Sequence, residues 1–173
     1  MDELLLPCAV KACTHFCGGK DREDLNLIQV RSESGSPSLV MEATNGYTAI
    51  QITMNNQEFE LDDFVIAYEL GALKGWMNTG EYPEETEARL PDITKAMERA
   101  REIRQDDEFC DSLIQLKFWT ETNLALRALF KGNVNIHMSA PENVEVAMAI
   151  FVEGESRDGT LVVAEIFIMR IRP

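Results

Sequence analysis

Long apolar runs are missing from this 173-residue chain: none reaches the roughly 18 residues that a membrane-spanning helix requires, so no such helix is expected. Histidine is scarce as well. His15 and His137 are the two present, and no Ser-His-Asp, HExxH or CxxC spacing accompanies them. Cys17-Gly18-Gly19-Lys20 lacks both the spacing and the preceding strand of a phosphate-binding loop. Carboxylate pairs are abundant, but among 30 acidic residues chance pairs are certain. Neither an enzyme nor a cofactor is therefore expected. Positive charge is short too, with 16 Lys plus Arg against 30 Asp plus Glu and a formal net charge of −14. That balance excludes a protein that coats nucleic acid over its whole surface, though not one with a localised basic face.

The four cysteines do not form a disulfide framework, because Cys8, Cys13 and Cys17 crowd into one helix pattern and Cys110 stands alone. Cys13 and Cys17 lie four apart, on one helical face from which His15 points away, so buried packing is expected there rather than a metal. Met1-Asp2-Glu3-Leu4-Leu5-Leu6-Pro7 has the wrong charge for a secretory signal, and the expectation is a soluble cytoplasmic protein.

What is present is an apolar content of 45%, enough to bury a core as one domain or two very small ones. Leu6, Val10, Cys13, Phe16 and Cys17 recur at helical spacing, and Gly18-Gly19 ends that helix. Strands are expected over 25–31, 39–44 and 47–54, the last two joined by Asn45-Gly46, a tight-turn signal. Phe64-Val65-Ile66 reads as a short strand running into a helix that carries Leu70, Leu73, Trp76 and Met77. An acidic loop follows, and then a helix after Leu90-Pro91 with Ile93, Ala96, Met97 and Ala100 on one side. The last third repeats the first: a strand near 113–118, a helix capped by Thr120 and running to Lys131-Gly132, then strands over 134–139, 144–152 and 161–171, with Gly154 and Gly159 marking the last hairpin.

The expected class is α+β, with antiparallel sheets packed on one side by helices and a helix-plus-three-strand unit occurring twice, the other side facing solvent or a partner. The units are 1–77 and 92–173, joined by an acidic connector over 78–91.

Three stretches carry a family likeness. Leu39-Val40-Met41-Glu42-Ala43-Thr44-Asn45-Gly46-Tyr47 is similar to a strand and turn written as apolar residues leading to A-T-D-G-H-R-L. Gly80-Glu81-Tyr82-Pro83, followed by Arg89-Leu90-Pro91, is similar to the connector G-x-[YF]-P-D-Y…V-[IL]-P. Ile168-Met169-Arg170-Ile171-Arg172-Pro173 is similar to the terminal V-M-P-M-R-L. In their order and separation they resemble the bacterial DNA polymerase sliding clamps, the β-subunit family of processivity factors, in a shortened, DNA-clamp-like form. Asn45 stands for the usual Asp, Tyr47-Thr48-Ala49 for His-Arg-Leu and Arg170 for the terminal Pro. At less than half a usual three-domain clamp, the chain looks like the first half of one domain joined to a shortened following domain.

The resemblance implies a self-associated ring, a homo-oligomer around duplex DNA that holds it without reading sequence. Candidates for the DNA-facing side are Lys11 and Lys74, then Lys95, Arg99, Arg101 and Arg104, and a stripe of Asn123, Arg127 and Lys131 spaced four apart, with Leu124, Ala128 and Leu129 packing on the sheet. Glu81, Glu84, Glu85 and Glu87 would repel DNA from the outside. The resemblance also implies an apolar pocket for client peptides from polymerase, clamp loader and repair proteins, involving Leu25, Thr44, Gly46, Tyr47, Pro91, Phe167, Met169 and Ile171, with Arg172 at the rim. Phe167, Met169 and Ile171 alternate to one face of the last strand, and Ile166 and Ile168 to the other. The competing expectation is a clamp-fold adaptor or competitor for clamp clients that never encircles DNA.

Overall fold

Apolar side chains at alternate positions need a layer to be buried against, and the chain meets this need with one sheet. The computed structural model describes residues 7–18, 22–32, 35–55, 64–103, 115–140 and 147–169. Its strands are β1 (Leu27–Ser32), β2 (Ser38–Thr44), β3 (Thr48–Asn55), β4 (Phe64–Glu69), β5 (Asn135–Ser139), β6 (Met148–Glu155) and β7 (Leu161–Ile168), and its helices α1 (Pro7–Cys13), α2 (Leu70–Thr79), α3 (Thr94–Ile103) and α4 (Leu116–Leu129). All seven strands join one antiparallel sheet in the order β4-β1-β2-β3-β7-β6-β5.

The junction of the two halves is the pairing of β3 with β7, from Thr48 opposite Ile168 to Met54 opposite Val162. Outward from it the order is the same on both sides, β3-β2-β1 and β7-β6-β5, and each meander is preceded by a helix, α1 or α4. The helix-plus-three-strand unit thus occurs twice within one continuous sheet, where the patterning suggested more than one.

Burial follows strand parity. On one face Met41, Ile50, Ile52, Ile150, Val152, Ala164 and Ile166 pack with Val10, Cys13 and Phe16 from the first helical segment, Leu73 and Trp76 of α2, and Phe118, Ala125 and Leu129 of α4. The residues of opposite parity, Ala49, Ala149, Phe151 and Phe167, form a second cluster with Met97 and Ala100 of α3. Helices α1, α2 and α4 pack on one side of the sheet, as expected, and α3 is an addition on the other. Three small side chains, Ala49, Ala147 and Ala149, leave room on the second face, and Met97 fills it.

A polar row crosses that same face. Arg31 donates twice to the buried Glu42 carboxylate at 3.3 Å, and Gln51 donates to it from the other side. Arg101 of α3 then bridges Gln51 and Glu165, with a 2.7 Å bond from its Nε to the Glu165 carboxylate.

Other boundaries differ from the sequence reading for local reasons. Phe118 lies in α4, not in a strand; residues 113 and 114 fall outside the described residues. The cap position is Gln115, and Thr120 sits inside the helix with its hydroxyl donating to the Leu116 carbonyl at 3.1 Å, so it does not cap. Leu25 ends a 3₁₀ turn and β1 starts at Leu27. Gly154 lies within β6, opposite Val162, where a Cβ would come within 2.9 Å of Val134, whereas Gly159, with φ of 85°, makes the turn. Among the described residues no helix is long and apolar enough to cross a membrane.

Candidate binding surfaces

Two surfaces collect most of the candidate residues. The first is the helical face of the sheet. Helix α1 presents Lys11 to solvent because its other side, Cys8 to Val10 with Ala12 and Cys13, is buried. Helix α4 buries Phe118, Thr122, Ala125 and Leu129, which turns Asn123 and Arg127 outward and leaves Lys131 exposed just beyond its end. Leu124 is also turned outward, 45% exposed, and not packed on the sheet as the spacing suggested. Lys74 projects from α2, whose Leu73 and Trp76 pack into the same core, and Gly80 closes that helix with φ of 76°.

Between these helices lies a groove of about 930 Å³. Lys11, Arg127 and Arg157 line it together with Trp76, Met77, Tyr82 and Leu124. The Trp76 and Tyr82 rings meet at 5.2 Å. Arg157 leans on the end of α4, its Nε donating to the Arg127 carbonyl at 3.0 Å. The carboxylate of Asp158 accepts a bond of 3.0 Å from the Cys8 thiol. Burial, with this bond second, pushes Cys8 up to about 11. His15, also in the lining, is lowered from its ordinary value by burial and by neighbouring Lys11.

The second surface is one end of the sheet. Asn45 organises the β2–β3 turn by accepting bonds from the amides of Tyr47 (2.9 Å) and Thr48 (2.8 Å), a role an aspartate fills equally well. Thr44 accepts from the Gly46 amide and donates to the Thr48 carbonyl. Gly46 has φ of 87°, and a Cβ on it would stand 3.3 Å from Leu25 Cδ1, so turn and Leu25 are in close approach. Met169 joins them through its amide, which donates to the Tyr47 carbonyl at 2.9 Å. The Tyr47 ring, 60% exposed, stacks on Phe118 at 6.0 Å, with Lys117 Nζ 4.7 Å from the Phe118 ring centre.

Leu25, Thr44, Gly46, Tyr47 and Met169 are thereby brought together, while Phe167 is not. It lies buried on the other face, edge-on to Phe151 and under Arg101, whose guanidinium stands 5.9 Å from its ring. Pro91 is exposed in the segment before α3, and Ile171 and Arg172 fall outside the described residues. Lys117 and Phe118 are neighbours of Tyr47 that sequence reasoning missed; the outward signal, a helix starting at Leu116, was hidden by reading 113–118 as a strand. The basic residues divide too. Lys95, Arg99 and Arg101 belong to α3, on the face opposite Lys11 and Arg127, and Arg101 is engaged by Glu165 and Gln51; Arg104 lies outside the described residues.

The sequence matches no protein-family model and no curated protein. Solved structures match over the whole chain. A DNA polymerase III β subunit from Thermotoga maritima superposes with a TM-score of 0.59 at 12% identity, covering 100% of this chain and 65% of that one. The Streptococcus pneumoniae β chain gives 0.62 at 13%, covering 99% and 63%. A Helicobacter pylori β clamp bound to a DNA ligase peptide gives 0.59 at 10%, covering 96% and 63%. At such identities the likeness is one of fold. The chain has the bacterial sliding-clamp fold and spans just under two-thirds of the length of the clamps it matches.

Proposed function

We propose that the chain is a non-enzymatic, cytoplasmic, clamp-like tethering or processivity factor that self-associates around duplex DNA with its helical face inward. The observation that carries this reading is a segregation of charge. Helices α1, α2 and α4 hold Lys11, Lys74, Lys117 and Arg127 against the single acid Glu121, in a chain with 16 basic and 30 acidic residues. Burial raises the Glu121 carboxyl from its ordinary value, and neighbouring Lys117 acts against that rise. A face of this kind contacts phosphates without reading bases. The two halves, 1–77 and 92–173, would act as one plate, with the first part of the acidic connector 78–91 at the helical face, where Gly80 and Tyr82 line the groove. A ring built from such plates would close through the edge strands, β4 on one copy and β5 on the next, with the Thr86 amide, which already bonds the Ala67 carbonyl at 3.0 Å, displaced from the middle of β4. Client peptides, from polymerase, clamp loader or repair proteins, would be taken at the sheet end around Tyr47 and Met169.

Reversing Arg127 and Lys131 to Glu tests the reading. Both side chains are exposed, so the fold is expected to survive. Retention on nicked circular duplex is expected to fall by at least tenfold, similarly across sequences and with a shallower salt dependence, since phosphate contacts release counterions. Retention unchanged by the double reversal would sink the proposal. The sheet-end surface, where Tyr47 stacks on Phe118 while largely exposed, supports one other reading, an adaptor that keeps this site and never encircles DNA; it is selected if the chain binds clamp-type peptides but slides off no faster from linear than from circular DNA.

A further inference from the structure

The groove between α1, α2 and α4 has a feature that phosphate contacts do not need, an apolar wall. Met77 and Leu124 line it while 39% and 45% exposed. Its charge is predominantly positive as well: Lys11, Arg127 and Arg157 stand in the lining against the carboxylate of Asp158, and Lys11 and Arg127 form no ion pair among the described residues. A volume of about 930 Å³ suits several side chains of a ligand rather than a solvent molecule. We propose that this groove docks an acidic linear peptide with a bulky apolar anchor, the anchor lying against Met77 and Leu124 and the peptide's carboxylates against Lys11, Arg127 and Arg157. Single-stranded nucleic acid, the other polyanion to consider, is disfavoured because it binds by stacking bases on open aromatic faces. Trp76 is only 8% exposed and is already packed on Tyr82. The groove is also separate from the sheet end, since none of Thr44, Gly46, Tyr47 and Met169 lines it.

Docking does not depend on the DNA reading, but one consequence does. Lys11 and Arg127 belong to both surfaces, so a docked peptide and a duplex on the helical face exclude each other.

The chain has two tryptophans, so a Trp119→Phe background makes Trp76 the sole reporter in the wall of the groove. Four fluorescent probes are compared by anisotropy and by Trp76 emission: a nine-residue Asp/Glu-rich peptide with a central Leu-Phe pair, the same peptide with Ala for the anchors, the same anchors flanked by Lys, and oligo-dT. The anchored acidic peptide is expected to bind at roughly micromolar strength and shift Trp76 emission, with each other probe at least tenfold weaker. Leu124→Glu and, separately, Met77→Glu and Arg127→Glu are expected to weaken it at least tenfold, and Tyr47→Ala to leave it unchanged. Absence of binding, equal binding to the three groove variants, or loss with Tyr47→Ala would overturn the proposal, and oligo-dT binding as tightly would assign the groove to nucleic acid instead. Adding the anchored peptide is expected to release nicked circular duplex; a chain that binds the peptide yet never retained DNA refutes the DNA reading and leaves the docking site standing.

Discussion

Gly46 shows how closely one residue ties the sheet-end surface to the backbone. Its φ of 87° is a region that a side chain makes costly, and an added Cβ would meet Leu25 Cδ1 at 3.3 Å. Gly46→Ala is therefore expected to lower stability by about 1–2 kcal/mol, read as a lower urea midpoint at unchanged slope. Asn45→Asp, which keeps the acceptor for two amides, is expected to leave the midpoint within about 0.5 kcal/mol of its starting value. The turn was legible in the sequence because Asn-Gly chemistry is local. Leu25 beside it entered only through the family resemblance, since nothing in the spacing of residues 25 and 46 brings them together.

The thiols make a second case at this scale. Burial pushes Cys17 up to about 12 and Cys8 up to about 11, and raises Cys13 as well. A thiol with a folded pKa above its unfolded value of 9.0 keeps its proton longer when folded. The stability tied to it is complete below about pH 9 and is lost as pH rises from there towards 11 to 12. The expected result is that iodoacetamide at pH 8 leaves Cys8, Cys13 and Cys17 unmodified in the folded chain and modifies all three in urea, as read by peptide mass. Rapid labelling of Cys17 in the folded chain would contradict its environment. The packing role read from the sequence agrees with the placement of Cys13, fully buried in the core between the first helical segment and the sheet.

Among the elements, α3 is the one whose place the sequence could not give. Its apolar stripe was readable, and Met97 and Ala100 are indeed its buried residues, but a stripe does not say which surface it meets. Three alanines from β3, β6 and the residue before β6 supply the hollow, and Arg101 fastens the helix by bridging Gln51 and Glu165. Met97→Ala is expected to cost about 2–3 kcal/mol, expressed locally. Hydrogen exchange over 94–103 should accelerate by thirtyfold or more while amides of β3 and β7 keep their protection. Equal acceleration across the sheet would mean that α3 is part of the global cooperative core. The start of α4 was misread for a related reason: the apolar residues around Phe118 suit a strand locally, and the packing of Phe118 into the helical-side core decides otherwise.

For the whole molecule the open quantity is mass in solution, because a single seven-stranded sheet with two edges is either a monomer or a unit of something closed. The ring reading expects a discrete multiple of 19.5 kDa at micromolar concentration, reduced by Ile136→Lys, which puts a charge on a side chain 55% exposed on edge strand β5. A strict monomer by light scattering would remove ring closure and leave the adaptor. The amino-acid sequence by itself determined the seven strands, all four helices in outline, the Asn45-Gly46 turn, the doubled unit and the likeness to sliding clamps, though it also suggested a strand where α4 begins, because periodicity, turn chemistry and short motifs act over a few residues. Only the tertiary structure decided that the halves share one sheet through β3 and β7, that Phe167 lies under α3 while Tyr47 stacks on Phe118, that the basic residues fall on two opposite faces, and that Leu124 and Met77 wall a groove. Those outcomes are pairings between segments distant in the chain, set by which surfaces bury each other best, and a pattern along one segment carries no record of its partner.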